Sequence, residues 1–354
     1  MKTYGIIMAG GGGERFWPLS RKETPKQLLN LSGKDVMVNE AIVRLARVCP
    51  LENIFIVTNE CQVEKMRALT EKLLSADHIL SEPAARNTAA CIGYAAMRIK
   101  KTYGDGILVV TPSDAYIRDD DRFAQVLKTA VEASETSDSI VTIGIQPTFP
   151  ATGYGYIRFE KSENAVKKAL QFVEKPDFER AKEYLFSGEY VWNSGMFIFK
   201  ASVILQKFKE LLPEIYSLLA EIGEAVGTVA EETKIKELYP RIRSVSVDYG
   251  IMERTNNILV VPAEFGWSDV GSWDMLSAIH TPDDNGNIVV GEHFGIDTKN
   301  CVIFTKEKPI ATVGLSDLIV VDTEDVVLVC EKERAQEVKK IVELLRARGK
   351  EELL

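Results

Sequence analysis

Short apolar runs alternate with stretches of helical spacing through most of the chain. Tyr4–Met8, Asn53–Thr58, Gly106–Val110 and Ser139–Gly144 are continuous or nearly continuous in apolar residues, the pattern of strands buried on both faces, and Ile79–Pro83 ends another short strand. Between them Asn39–Val48 carries Ala41, Ile42, Leu45 and Val48 at helical spacing, and Gln62–Leu74 and Phe123–Glu135 read as further helices. Strand, helix, strand, helix predicts an α/β sandwich around a mostly parallel mixed sheet. Residues just beyond the carboxyl ends of such strands are where ligands gather. Ala169–Val173 and Ile258–Pro262 add strands, while Ala201–Ile222 and Glu232–Leu238 are helical, with Pro213 and Pro240 as punctuation.

The texture changes near Pro282. Asp283-Asp284-Asn285-Gly286-Asn287 is turn-rich, and short β segments follow at Ile288–Val290, Val302–Thr305, Ile310–Val313, Leu318–Val321 and Val326–Val329. Glu333–Arg348 closes as a helix with Val338, Ile341, Val342 and Leu345 on one face, suited to packing or dimerisation. The expected division is a large domain over 1–281, a small β domain over 282–332 and a C-terminal helix over 333–354.

Composition narrows the class. A chain of 354 residues that is 45% hydrophobic can bury a substantial core. Its net charge of −9 argues against nucleic acid or an anionic membrane as partner. Five scattered cysteines, never in a Cys-x-x-Cys pair, suggest reduced thiols rather than disulfides or zinc. With no signal-peptide layout and no apolar run of spanning length, a cytoplasmic location is expected.

The first apolar run breaks into Gly10-Gly11-Gly12-Gly13-Glu14-Arg15, with Lys26 close behind. Glycines let backbone approach a ligand, and bare N–H groups receive phosphate oxygens. A Walker A loop would need Lys-Ser/Thr after its last glycine, and a dinucleotide fingerprint would need a glycine where Arg15 or Phe16 stands. The loop therefore reads as a phosphate cradle of another type, finished by two cations, against the alternative of a flexible turn.

Further along, Arg86 and Asn87 offer directional hydrogen bonds beside small residues, or Asn87 or Thr88 caps a helix. Asp114 follows a buried strand, where a carboxylate holds Mg²⁺ or caps a turn. Gly153-Tyr154-Gly155 is a close-approach segment or a β-turn. Glu174-Lys175 is a ligand pair or a surface ion pair, and Asn193 a ligand or a turn residue.

The glycine loop with Pro18-Leu19 and Pro25-Lys26 resembles the opening of sugar-1-phosphate nucleotidyltransferases, with one extra glycine. Phe16-Trp17-Pro18-Leu19-Ser20 and Glu82-Pro83-Ala84-Ala85-Arg86-Asn87-Thr88-Ala89 resemble the guanylyltransferase members that act on mannose 1-phosphate. Uridylyl- and thymidylyltransferases carry a Gly-Leu-Ala-Gln-like segment instead. The resemblance covers roughly residues 1–280 and is architectural beyond. It implies a Rossmann-like nucleotidyltransferase domain followed by a short left-handed β-helix, although the six-residue repeat is weak here.

The implied reaction joins GTP and α-D-mannose 1-phosphate into GDP-mannose and pyrophosphate. The resemblance assigns Arg15 and Lys26 to catalysis, with Arg15 and the loop amides on the departing pyrophosphate and Lys26 on the transferring phosphate. Nucleotide contacts fall to Ala9, Gly10, Gly11, Gly12, Gly13, Glu82, Pro83, Arg86, Asn87 and Ser113. Sugar contacts fall to Gly155, Glu174, Lys175 and Asn193. Asp114 and Asp269 are expected to hold Mg²⁺ or another divalent cation. Asp248 and Glu253 read as support for the site or the fold. The nucleophile is a phosphate oxygen already ionised at neutral pH, so no general base is needed, in keeping with three histidines outside any triad. The alternatives are another nucleotide–sugar pair or a silent sugar-nucleotide-binding regulator; the presence of Arg15, Lys26, Asp114 and Asp269 argues against the regulator. A C-terminal isomerase domain, present in some bacterial relatives, is not expected here. A homodimer is expected.

Overall fold

The computed structural model describes all residues from Met1 to Leu354. In chain order its elements begin β1 (Thr3–Met8), α1 (Met37–Leu45), β2 (Ile54–Asn59), α2 (Val63–Thr70), β3 (Ile79–Glu82), α3 (Asn87–Tyr103) and β4 (Ile107–Pro112). There follow β5 (Tyr116–Ile117), α4 (Asp120–Thr136), β6 (Ile140–Ile145), β7 (Tyr156–Phe159), β8 (Lys167–Val173), α5 (Phe178–Ser187) and β9 (Tyr190–Lys200). Then come α6 (Ala201–Leu211), α7 (Pro213–Ala225), α8 (Glu231–Leu238), α9 (Val247–Gly250), β10 (Ile258–Ala263) and β11 (Trp267–Ser268). The last are β12 (Ile288–Val290), β13 (His293–Ile296), β14 (Val302–Thr305), β15 (Ile310–Val313), β16 (Leu318–Asp322), β17 (Val327–Glu331) and α10 (Val338–Ala347).

Contacts group the chain into two compact units. The first holds Met1–Gly10, Ala41–Ser113 and Asp119–Trp267, and the second Gly11–Glu40, Asp114–Arg118 and Ser268–Leu354. This grouping cuts the chain differently from a linear division at 281 and 332.

In the first unit nine strands form one sheet in the order β3-β2-β1-β4-β9-β6-β10-β8-β7. The β3-β2-β1-β4 block is parallel, as the uninterrupted apolar runs predict. Beyond it the sheet is more mixed than expected, because β9 runs antiparallel to both β4 and β6. The parallel ends of β1, β3 and β4 bring Ala9-Gly10, Glu82-Pro83 and Ser113 to one edge. Main-chain bonds lock that edge: Ala9 N–H to the Val57 carbonyl at 2.8 Å, and Ser113 N–H to the Met8 carbonyl at 3.0 Å. The core combines the sheet with α3, whose residues from Ala89 to Met97 are all buried. The helix expected over 201–222 is two helices, because Pro213 takes the first position of α7 and Leu212 turns out of helical geometry.

The second unit builds its own core. Phe16, Trp17 and Leu29 join Trp273, Phe304, Ile319 and Val338 in one apolar cluster. Strands β12, β14 and β16 stack in parallel, Ile288 opposite Val302 and Val302 opposite Ile319; β13 pairs in parallel with β15, and β17 closes antiparallel on β16. Successive rungs are therefore 14 and 17 residues apart. That uneven step is why no regular six-residue repeat is visible. The C-terminal helix begins as a 3-10 turn over Lys332–Glu337 and buries Val338 and Val342, leaving Ile341 more exposed. No helix of the chain is long and apolar enough to cross a membrane.

Candidate active site

In the first unit the glycine loop starts where β1 ends. Its carbonyls are tied back by side chains: Thr58 Oγ1 donates to the Ala9 carbonyl at 3.0 Å, and Asn59 Nδ2 to the Gly10 carbonyl at 2.6 Å. In the second unit Gln27 Nε2 donates to the Gly11 carbonyl at 3.0 Å, and Ser20 Oγ to the Gly13 carbonyl at 2.8 Å. Carbonyls held this way are kept from turning toward a ligand, which is what an amide cradle for phosphate needs. Gly11, Gly12, Glu14 and Arg15 are at least partly exposed. Gly13 stands at φ 61° and opens a single 3-10 turn over Glu14–Phe16.

Lys26 gathers the two metal candidates. Its ammonium donates to the Asp114 carboxylate at 3.0 Å, to the Asp114 carbonyl at 2.8 Å and to the Asp269 carbonyl at 2.5 Å. The partners lie 88 and 243 positions away in sequence. An ammonium has three donors, and all three are engaged on a side chain only 4% exposed. Through these three oxygen partners the buried ammonium joins the two aspartate segments. Asp114 is 40% exposed at its side chain. Val270, after Asp269, is held at φ 41°, a strained conformation for a β-branched residue and a mark of functional turns. A Cβ on Gly271 would lie 2.8 Å from the Asp269 carboxylate.

The base-recognition candidates open α3 in the first unit. Glu82 is 4% exposed and accepts the Tyr239 hydroxyl. Burial pushes its carboxyl up to about 7, against the downward pull of that hydrogen bond. Its second oxygen lies 3.0 Å from where a Cβ on Gly10 would stand, so Glu82 faces inward, beneath the loop. Arg86 donates to the Pro240 carbonyl and keeps a buried Nε without a partner. Asn87 is exposed at φ 66°, and its side chain accepts the Thr88 N–H at 2.8 Å. Thr88 does not cap its own helix; its hydroxyl accepts the Val247 N–H at 2.9 Å. Pro83 is partly exposed and Ser113 buried.

The sugar candidates also meet within the first unit. A register shift in the β6–β9 pairing falls between Thr142 and Gly144, opposite the stretch from Asn193 to Phe197, the kind of bulge that re-aims a side chain. The Asn193 N–H donates to the Gly155 carbonyl at 2.8 Å, and its amide Nδ2 to Asp248 at 2.9 Å. Glu174 pairs with Lys175 at 3.1 Å, while its other oxygen is buried without a partner. Burial, then the nearby Asp248 charge, raises the Glu174 carboxyl above its ordinary range, and burial does the same to Asp248. Lys175 sits at φ 48°, and the Glu174 N–H donates to Glu253 at 2.9 Å. Asp248 and Glu253 thus support this cluster through Asn193 and the Glu174 backbone.

Sequence reasoning missed Thr58, Asn59, Gln27 and Tyr239. Gln27, next to Lys26, was within reach of a pattern argument. The others act through the fold and carry no local signal.

The nucleotidyl transferase family model matches residues 4–285, and the MannoseP isomerase/GMP-like beta-helix domain matches residues 291–345. The alginate biosynthesis protein AlgA of Pseudomonas aeruginosa is 38% identical over 359 residues, covering 98% of this chain and 73% of that protein. The mannose-1-phosphate guanylyltransferase of Escherichia coli K12 is 38% identical over 367 residues, covering 99% of this chain and 75% of that protein. A crystal structure described as mannose-1-phosphate geranyltransferase of Thermus thermophilus superposes with a TM-score of 0.89 at 35% identity, over 98% of this chain and all of that one.

Proposed function

The chain belongs to the mannose-1-phosphate guanylyltransferase family of nucleotidyl transferases, and we propose that it transfers GMP from GTP to α-D-mannose 1-phosphate. A phosphate oxygen of the sugar phosphate attacks the α-phosphorus of GTP. The bond from that phosphorus to the oxygen bridging to the β-phosphorus breaks, giving GDP-mannose and pyrophosphate. The attacking oxygen is ionised at neutral pH, so the protein's task is alignment and charge neutralisation.

The observation that carries this reading is the convergence of Asp114 and Asp269 on one buried ammonium, Lys26. Nucleotidyl transferases of this family generally use a divalent metal, and Mg²⁺ is our assignment. An all-oxygen set of two aspartates suits a hard cation that keeps several waters, and Lys26 takes only one oxygen of the Asp114 carboxylate. Bound there, Mg²⁺ supplies neutralisation of phosphate charge. Lys26 holds both aspartate segments in place, while Arg15 and the amides of Ala9–Gly13 take the leaving pyrophosphate.

Pro83, Arg86, Asn87 and Ser113 are assigned to the base, with Glu82 supporting them from below. Gly155, Glu174, Lys175 and Asn193 are assigned to the sugar phosphate. The unpartnered Glu174 oxygen supports this, since a sugar hydroxyl is the donor it lacks. Residues 1–281 carry the chemistry in this reading. The homodimer is supported by exposed Phe294, Ile296 and Val313 on the paired strands β13 and β15. Incubating the chain with GTP, mannose 1-phosphate and Mg²⁺ tests the reaction: GDP-mannose and pyrophosphate must appear in equal amounts. Absence of the sugar nucleotide contradicts it.

A further inference from the structure

The last residues of the chain lie on the segment that carries Arg15. The Leu353 carbonyl accepts two side-chain donors, the Trp17 indole N–H at 2.8 Å and the Arg21 guanidinium. The Lys22 main-chain N–H donates to the Leu354 oxygen at 3.1 Å. Val338 and Val342 of α10 share an apolar cluster with Phe16, Trp17, Leu19 and Trp273, and Leu345 and Leu354 pack against it. Trp17, 6% exposed, is thereby fixed at two points, because its own carbonyl also accepts the Trp273 indole N–H at 3.1 Å.

We infer that residues 338–354 are a positioning element of the transfer site: by gripping Trp17 and Arg21 they fix the one-turn segment from which Arg15 projects. A single 3-10 turn behind a run of glycines has little rigidity of its own. Its placement is set by whatever holds the residues that follow. The Arg346–Glu14 pair at 3.1 Å is about half exposed on both sides and adds little. The grip itself is made to main-chain oxygens, so the side chain at 353 is free to vary while the presence of the segment is not. Because Arg15 belongs to the transfer machinery, this inference rests on the proposed function.

The test compares the full chain with four variants: deletion of residues 349–354, Trp17→Phe, both together, and Leu353→Ala. The deletion and Trp17→Phe should each lower kcat about tenfold or more, the scale of a group slightly misplaced, with KM for mannose 1-phosphate unchanged. The combined variant should be no worse than the more damaging single one, because both remove the same contact. Leu353→Ala keeps the carbonyl and should retain full kcat. Should the deletion fail to fold, Trp17→Phe, checked by its thermal midpoint, carries the test alone. Wild-type kcat in Trp17→Phe, multiplicative losses in the combined variant, or a loss in Leu353→Ala equal to the deletion's would overturn the inference. A full-length chain that makes no GDP-mannose overturns the proposed function instead.

Discussion

A Cβ on Gly13 would stand 2.4 Å from the Cβ of Lys26 and 2.7 Å from its main-chain nitrogen. The fourth glycine of the loop is thus the surface on which Lys26 rests. At φ 61° it also occupies a conformation that side chains disfavour. Gly13→Ala should cost about 1–3 kcal/mol of stability and, by shifting Lys26, roughly 10²-fold in kcat. Gly11 has nothing within 4 Å of its added Cβ. Gly11→Ala should leave the thermal midpoint unchanged yet raise KM for GTP, because the methyl occupies the phosphate's approach. Equal effects of the two substitutions on stability would contradict these different roles.

Removing either cation should damage turnover. Arg15→Ala is expected to lower kcat by roughly 10²-fold or more, the scale of losing one oxyanion-type donor, and Lys26→Ala by about as much, since it frees both aspartate segments. Steady-state kinetics at saturating GTP checks this. Near-normal turnover in both variants would sink the assignment. Lys26→Ala should also raise the Mg²⁺ concentration needed for half-maximal rate, since the aspartate segments lose their common partner.

Gly155 lies against the sugar cluster: a Cβ there would be 2.4 Å from the unpartnered Glu174 oxygen. Gly155→Ala should raise KM for mannose 1-phosphate by roughly tenfold or more and leave KM for GTP in place. A parallel rise in both constants would show that Gly155 serves the fold and not the sugar.

Glu82 makes stability depend on pH in an unusual direction. Burial lifts its carboxyl from 4.5 to about 7 in the folded chain, so the fold holds a proton that the unfolded chain releases. Stability from this group is complete below pH 4.5 and is lost as pH rises toward 7 and beyond, by up to about 3 kcal/mol. Glu82→Gln keeps an acceptor for Tyr239 and removes the titration. Urea melts should therefore show the variant gaining on the natural chain between about pH 5 and pH 8. A constant difference across that range would place the Glu82 carboxyl in the ordinary range.

The strand block, the glycine loop and the segments that gather around Lys26 and around Asn193 were legible in the sequence because each leaves a local mark: apolar runs, consecutive glycines, carboxylates just past strand ends. Roles set by distant partners were not. The hold of Lys26 on Asp114 and Asp269, 88 and 243 positions away, leaves no local mark. Nor does the bond that Tyr239, 157 positions away, donates to Glu82. Strand β13 was missed because Phe294 and Ile296 are exposed and the segment sits among turns.

The most direct test of the function is pyrophosphate release with Mg²⁺, crossing GTP, ATP, UTP and dTTP with mannose, glucose and fucose 1-phosphates. The account predicts a clear maximum in kcat/KM at GTP with mannose 1-phosphate. A maximum at another pair would contradict the reading of Arg86 and Asn87 or of Glu174 and Asn193, and silence across the grid would contradict the enzyme itself.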